Sequence, residues 1–223
     1  SFFERRTGKI RLDILYPSWL YLSKGFHEST FRSMLKRMFD IAIVLVLLPL
    51  TFPIMVLAAI AIVIEGRGRG GVLYRQTRIK QDNRPFEIYK FRSMVADAEK
   101  DGRARWASKN DSRITRVGSI IRTLRIDELP QLFNVLKGDM SFVGPRPERG
   151  VFVEKFSQQL PAYPQRHRVK SGMTGWAQVN GWRGDTSIEK RIEHDLYYIE
   201  NWSPALDLQI LLRTIPEVLV GAG

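Results

Sequence analysis

The chain has 223 residues, 44% of them hydrophobic, enough for one domain with its own core or for one domain plus a membrane element. Lysine and arginine outnumber acids 35 to 23, and the net charge of +12 calls for a polyanionic partner: nucleic acid, anionic lipid or a phosphorylated substrate. Cysteine is absent, which excludes disulfides, thiolate metal sites and cysteine nucleophiles.

Residues 1–33 read as an N-terminal extension that starts abruptly in polar text, without a secretory signal, as expected of a remnant of a longer protein. Within it, Ile10 to Leu22 has β-branched and aromatic residues around a Pro17-Ser18 turn and is expected to form short extended segments. Residues 34–66 hold a membrane element. Ile41 to Ile64 runs for 24 residues without a charge, and about 20 suffice to cross a bilayer. Pro49 and Pro53 lie at its centre, where each removes a backbone donor, so a bend or break is expected, with the Thr51 hydroxyl as a local partner for freed carbonyls. Both flanks are basic: Arg32, Lys36 and Arg37 before the run, Arg67, Arg69, Arg75, Arg78 and Lys80 after it. Positive flanks stay on the cytoplasmic side, so a re-entrant helix-break-helix satisfies the pattern better than a kinked span or a buried soluble helix.

Residues 67–223 read as one compact unit without repeats or low-complexity tracts. Val72 to Ile79 and Phe86 to Phe91 predict two strands joined by a polar turn through Asp82, Asn83 and Arg84. From Asp111, the spacing of Ile114, Val117, Ile121 and Leu124 predicts an amphipathic, cationic helix. A second helix is expected over Glu128 to Lys137, stopped by Gly138, and others over Thr186 to Glu200 and Ala205 to Val220, the last broken near Pro216.

Asp127 is expected at an N-cap, where its carboxylate would satisfy backbone donors and suit the helix dipole. That plain role competes with a chemical one. Arg122 and Arg125 lie just before the pair Asp127-Glu128, and helix N-termini attract phosphate. Downstream, Pro145 and Pro147 hold Arg146 rigidly, and an arginine fork binds phosphate oxygens two at a time. Carboxylate, adjacent carboxylate and fixed guanidinium make a phosphoryl-transfer set in which one acid attacks phosphorus and the other holds Mg²⁺. Lys90 and Arg92 either approach phosphate or flank a buried Phe91. The three histidines lack metal spacing, and Asp139 is read as a turn residue. Trp176 and Trp182 either shape a site loop or pack in the core, and Trp202 either packs or lies at an interface.

Seven blocks in order carry a resemblance: Lys36-Arg37 with Phe39-Asp40; Tyr74-Arg75-Gln76; Lys90-Phe91-Arg92-Ser93-Met94; Asp127-Glu128-Leu129-Pro130-Gln131-Leu132; Lys137-Gly138-Asp139-Met140-Ser141; Gly144-Pro145-Arg146-Pro147; and Gly175-Trp176-Ala177-Gln178-Val179-Asn180-Gly181. With them the chain resembles the bacterial sugar transferases, the monotopic polyprenyl-phosphate phosphoglycosyl transferases. The resemblance implies a helix-rich α/β catalytic domain on the cytoplasmic face of a bacterial inner membrane, held by the re-entrant element and by interfacial amphipathic helices. It implies that Asp127 attacks the β-phosphate of a UDP-sugar and releases UMP. Undecaprenyl phosphate then takes the phosphosugar from the aspartate. By the same resemblance Glu128 is the Mg²⁺ ligand, and Arg122, Pro145, Arg146, Pro147, Lys90, Arg92, Gln178 and Arg183 bind substrate. Two departures stand out. Trp182 separates Arg183 from the Asn-Gly that the family's arginine follows directly, and Leu48 and Phe52 stand where a serine often precedes the hairpin proline.

The ending Gly181-Trp182-Arg183-Gly184-Asp185-Thr186 is similar to relatives that start exopolysaccharide or O-antigen repeats, which puts UDP-glucose first and UDP-galactose second. Anionic lipid is an expected partner, nucleic acid is not, and the N-terminal extension makes a homodimer plausible. The competing functions are a glycosyl transferase that releases UDP and a basic membrane-anchored module without catalysis.

Overall fold

The computed structural model describes residues 7–10, 30–67, 70–95, 97–98, 111–184 and 186–219. The extended segments expected between Ile10 and Leu22 lie, apart from Ile10, outside the described residues. The longest element is α1 (Thr30–Glu65), long and apolar enough to cross a membrane. An antiparallel hairpin follows, β1 (Leu73–Ile79) and β2 (Pro85–Phe91), closed by a short 3-10 turn and registered with Tyr74 opposite Lys90. Helix α2 (Arg116–Thr123), a 3-10 turn (Ile126–Glu128) and α3 (Gln131–Lys137) lead to β3 (Ser141–Val143). Then come α4 (Gly150–Gln159), a 3-10 segment (Tyr163–Arg168), β4 (Gly172–Thr174) parallel to β3, a further 3-10 turn (Gln178–Asn180), α5 (Ile188–Asn201) and α6 (Pro204–Leu219). The result is a helix-rich α/β architecture.

Helix α1 buries one stripe between residues 40 and 62: Asp40, Val44, Met55, Ala58 and Ile62. Val44 packs with Phe86, Ile88, Leu132 and Val135, while Met55, Ala58 and Ile62 pack with Phe91 and Ile121. Its other faces expose leucine, isoleucine, valine and phenylalanine side chains. Both ends are tied to the same globular part. Near the start, Arg37 donates to the carbonyls of Val135 and Leu136, and Lys36 lies 2.6 Å from Asp207. At the finish, the Glu65 carboxylate accepts from the amides of Arg116 and Val117 at 2.8 and 3.0 Å, satisfying donors at the start of α2.

Several expectations need correction. The break expected at Pro49 and Pro53 is absent, since α1 stays helical through both. Thr51 does hydrogen-bond locally, but to the carbonyls of Leu47 and Leu48. The prolines deprive the carbonyls of Leu45 and Pro49 instead. Pro216 likewise lies inside α6. The helix expected from Asp111 begins at Arg116, because Thr115 caps it through a side-chain bond from the Gly118 amide, and Ile114 pairs with Met94 instead. Asp127 is not an N-cap. It sits in the 3-10 turn, and α3 starts after Pro130, a residue suited to the first turn because it has no amide hydrogen to satisfy.

The β3–β4 contact is close enough to need glycine. A Cβ on Gly172 would lie 2.1 Å from the Gly144 nitrogen, and one on Gly144 would lie 2.4 Å from the Lys170 carbonyl oxygen. The Gly144 amide donates to Thr174 and the Gly172 amide donates to Pro145, each at 2.9 Å. These bonds fix the strand end from which Arg146 projects.

Candidate active site

Three elements converge on Glu128. Strand β2 brings Lys90, the 3-10 turn brings Asp127 and Glu128, and the segment after β3 brings Arg146. Lys90 Nζ donates to Glu128 Oε1 at 2.7 Å, and Arg146 grips both carboxylate oxygens at 2.5 and 3.4 Å. Arg125 makes the turn possible by adopting the left-handed region, φ 58°, which non-glycine residues seldom occupy.

The electrostatics divide the two acids. Burial raises the proton affinity of Asp127, and the neighbouring Glu128 charge raises it further, against Lys90, Arg122 and Arg125. Burial pushes Glu128 the same way, yet Arg146 and Lys90 together hold it well below the usual carboxylate range. The two acids are thus biased in opposite directions, as in carboxylate pairs that take separate roles. Lys90 is lowered by burial and by Arg146, opposed by Glu128 and Asp127.

A second layer holds Arg146. Its carbonyl accepts from Arg166 at 2.8 Å; Arg166 also donates to the Tyr163 hydroxyl and pairs with Asp195 at 2.8 Å, both ions almost fully buried. Beside them Glu148 takes Arg191 at 3.0 Å and Arg78 at 3.3 Å. Gln178, Trp182 and Arg183 join Arg146, Arg166 and Arg191 around a small cavity. Gln178 Nε2 bonds the Met173 carbonyl, while Gln178 Oε1 meets no protein partner.

Of the residues expected from sequence, Glu128, Lys90 and Arg146 meet directly, Asp127 stands next to Glu128 in the 3-10 turn with Lys90 and Arg122 acting on it electrostatically, and Gln178 and Arg183 adjoin Arg146. Pro145 and Pro147 support the segment through their carbonyls, which accept from Gly172 and Arg78. Arg92 goes elsewhere and donates to the Gly71 carbonyl at 3.0 Å. Trp176 is a core residue, bonded to the Gly8 carbonyl and stacked on Tyr197. Sequence reading missed the Arg166–Asp195 and Arg191–Glu148 pairs, because ions separated by tens of residues leave no periodic signal.

The site adjoins the apolar helix: Ile126 and Leu129, on either side of the acid pair, pack against the cluster of Met55, Ala58 and Ile62. A largely buried carboxylate pair ringed by lysine and arginine thus lies beside the long apolar helix, and lysine and arginine are the side chains that pair most readily with phosphate oxygens. The chain belongs to the bacterial sugar transferase family, whose profile matches residues 31–221. It is 45% identical over 222 residues to a UDP-N-acetylgalactosamine-undecaprenyl-phosphate N-acetylgalactosaminephosphotransferase of Aeromonas hydrophila, covering 99% of this chain and 51% of that protein. It is 45% identical over 186 residues to a UDP-glucose:undecaprenyl-phosphate glucose-1-phosphate transferase of Escherichia coli, covering 82% and 39%. A protein of that same description from Caulobacter vibrioides is 44% identical over 188 residues, covering 82% and 69%. The chain thus spans about half or less of the first two relatives.

Proposed function

We propose that the chain transfers a sugar 1-phosphate from a UDP-sugar to undecaprenyl phosphate by two displacements at Asp127. In the first, an Asp127 oxygen bonds to the β-phosphorus and the bridging oxygen leaves with UMP. In the second, an oxygen of the lipid phosphate attacks that phosphorus, the bond to Asp127 breaks, and the free carboxylate returns. The observation that carries this reading is the arrangement of the adjacent acids beside α1, with Lys90 at 2.7 Å and Arg146 at 2.5 Å on Glu128 and the buried Asp127 next to it. Glu128, locked by Lys90 and Arg146, stays anionic, while Asp127 keeps its side chain for the reaction. Arg122, Arg146 and Lys90 supply positive charge to a diphosphate, and Gln178 and Arg183 extend that surface.

The donor set suits Mg²⁺ in kind, since that ion commonly takes one or two carboxylates together with substrate phosphates. Glu128, with Asp127 beside it, would hold the ion, which when bound neutralises charge on the diphosphate. The two cations on Glu128 are a condition on this fit: one hydrogen bond must yield before a metal can share that oxygen.

Residues 34–66 act as a monotopic anchor that enters and leaves on the cytoplasmic face, with residues 67–223 as the catalytic domain. Support comes from the ties of Arg37 and Glu65, at opposite ends of α1, to one globular part, and from the basic flanks. A crossing would separate those ends by about 30 Å of hydrocarbon. Cysteine labelling at residue 70 tests this, because access from outside alone would refute it.

UDP-glucose and UDP-N-acetylgalactosamine, the donors named for relatives of equal identity, stand ahead of UDP-galactose. Incubating the chain with undecaprenyl phosphate and each UDP-sugar, and identifying the nucleotide by ³¹P NMR, tests the reaction. UMP is expected; UDP would mean that the sugar alone is transferred.

A further inference from the structure

A short piece of chain ahead of α1 is tied to the loop that carries Gln178 and Arg183. Residues 7–10 lie outside the family match, which begins at residue 31, yet they are built into the core. Ile10 is 2% accessible and belongs to the same apolar cluster as Trp176 and Val179. Its amide donates to the Glu193 carbonyl at 3.2 Å, and Lys9 reaches the Glu193 carboxylate at 3.6 Å, so the segment is fastened to α5. Gly8 meets the loop itself. The Trp176 indole N–H donates to the Gly8 carbonyl at 2.5 Å. Gly8 has φ +64°, and a Cβ there would press on indole Cζ2 at 2.8 Å. Glycine is the residue that allows both the left-handed backbone and that approach.

Trp176 has little room to yield. Tyr197 stacks on its ring with centroids 5.8 Å apart, and the Arg213 guanidinium lies 5.2 Å over it. The backbone at Trp176 in turn folds the loop. Its carbonyl accepts from the Asn180 side chain at 2.7 Å, and the neighbouring Ala177 carbonyl accepts from the Trp182 amide at 2.9 Å. Those bonds curl the chain around the 3-10 turn Gln178–Asn180 and set where Gln178, Trp182 and Arg183 stand beside Arg146. The indole has a single polar group, and it is used on Gly8. The placement of the loop against the Arg146 side of the site is thereby linked to residues that precede the membrane helix.

We propose that Gly8, acting through Trp176, is a positioning residue for the sugar donor: residues 7–10 form a strap that holds the loop from Trp176 to Arg183 in place against Arg146. The proposal rests on the reading of that loop as part of the UDP-sugar site. The strap acts on the loop rather than on Asp127 or Glu128, so loosening it weakens donor binding without slowing the chemical step. The test uses the full chain with undecaprenyl phosphate and UDP-glucose or UDP-N-acetylgalactosamine, whichever wild type turns over. Gly8→Val pushes the strap off the indole; Trp176→Phe keeps a packed ring and removes the N–H, and it carries the test if Gly8→Val does not fold. Each should raise the donor KM about five-fold, with kcat, the KM for undecaprenyl phosphate and the circular dichroism spectrum kept. The pair should raise it no further than one change alone, because both remove the same contact. An unchanged donor KM in folded Trp176→Phe, a fall in kcat at constant KM, or effects that multiply in the pair would overturn the strap. Arg183→Gln separates this from the parent reading: an unchanged donor KM there would overturn the proposal by removing the loop from the donor site, and turnover of neither donor by wild type would refute the transfer reading itself.

Discussion

Replacing Lys90 with methionine keeps most of the side chain and removes one of the two cations on Glu128. The lost contact is 2.7 Å long between side chains only 18 and 13% exposed, a charge-assisted bond worth about 1.5–3 kcal/mol. Arg146 remains 2.5 Å from the same oxygen, so the cost stays below the roughly 3–5 kcal/mol of a fully orphaned buried ion. For a chain of this size the melting temperature should fall by roughly 3–12 °C. The kinetic effect has a definite sign. Lys90 lowers the proton affinity of Asp127 and of Glu128, so its loss lifts both. Asp127, already above the 3.8 of a free aspartate, must then lose its proton at higher pH, and the acid limb of the UMP-release profile moves upward. Measuring initial UMP release across pH in detergent, at saturating donor, reads the shift directly. An acid limb that stays put or moves to lower pH would refute the electrostatic division of the two acids.

The remaining predictions concern the supports. Arg146→Lys loses the two-pronged grip on Glu128, and turnover should drop about a hundred-fold while the fold persists by circular dichroism. Asp195→Asn leaves Arg166 as a buried charge without its counterion. Thermal unfolding should show a loss of about 3–5 kcal/mol, and the donor KM should rise because Arg166 anchors the Arg146 carbonyl. Gly172→Ala drives a Cβ into backbone, so the protein should fail to accumulate in folded form, as judged by solubility and proteolysis. Acid unfolding has a worked sign. Glu128, depressed in the fold, stabilises above its unfolded value of 4.5 and loses that contribution as pH falls through its folded value. Asp127, raised in the fold, works against stability as pH rises past 3.8. Glu128→Gln should therefore flatten the loss of stability on acidification, measured by urea titration at several pH values.

Much of this was legible in the residues. The hairpin's alternation places β1 and β2 within one or two residues, and the uncharged run defines α1. The acids and Arg146 stand out because prolines and arginines cluster beside them. Local chemistry hid the rest. Thr115 starts α2 later than its apolar spacing suggests, since a hydroxyl cap outweighs periodicity. The three-residue strands β3 and β4 are too short to carry a pattern, and their pairing depends on Gly144 and Gly172 lying close in space. Lys90 reaches Glu128 rather than flanking Phe91 passively, because β2 packs beside the 3-10 turn. Arg92, two residues on in the same strand direction, bonds Gly71 instead. Sequence spacing cannot separate those two fates.

The claim on which the rest depends is that one aspartate side chain carries the phosphosugar. Wild-type protein incubated with a UDP-sugar radiolabelled in the sugar, without lipid acceptor, should retain label on the Asp127 peptide and release an equal amount of UMP. Undecaprenyl phosphate should then discharge that label into lipid, and Asp127→Asn should retain none. Lipid product forming at full rate in Asp127→Asn, or label persisting on that variant, would contradict the account.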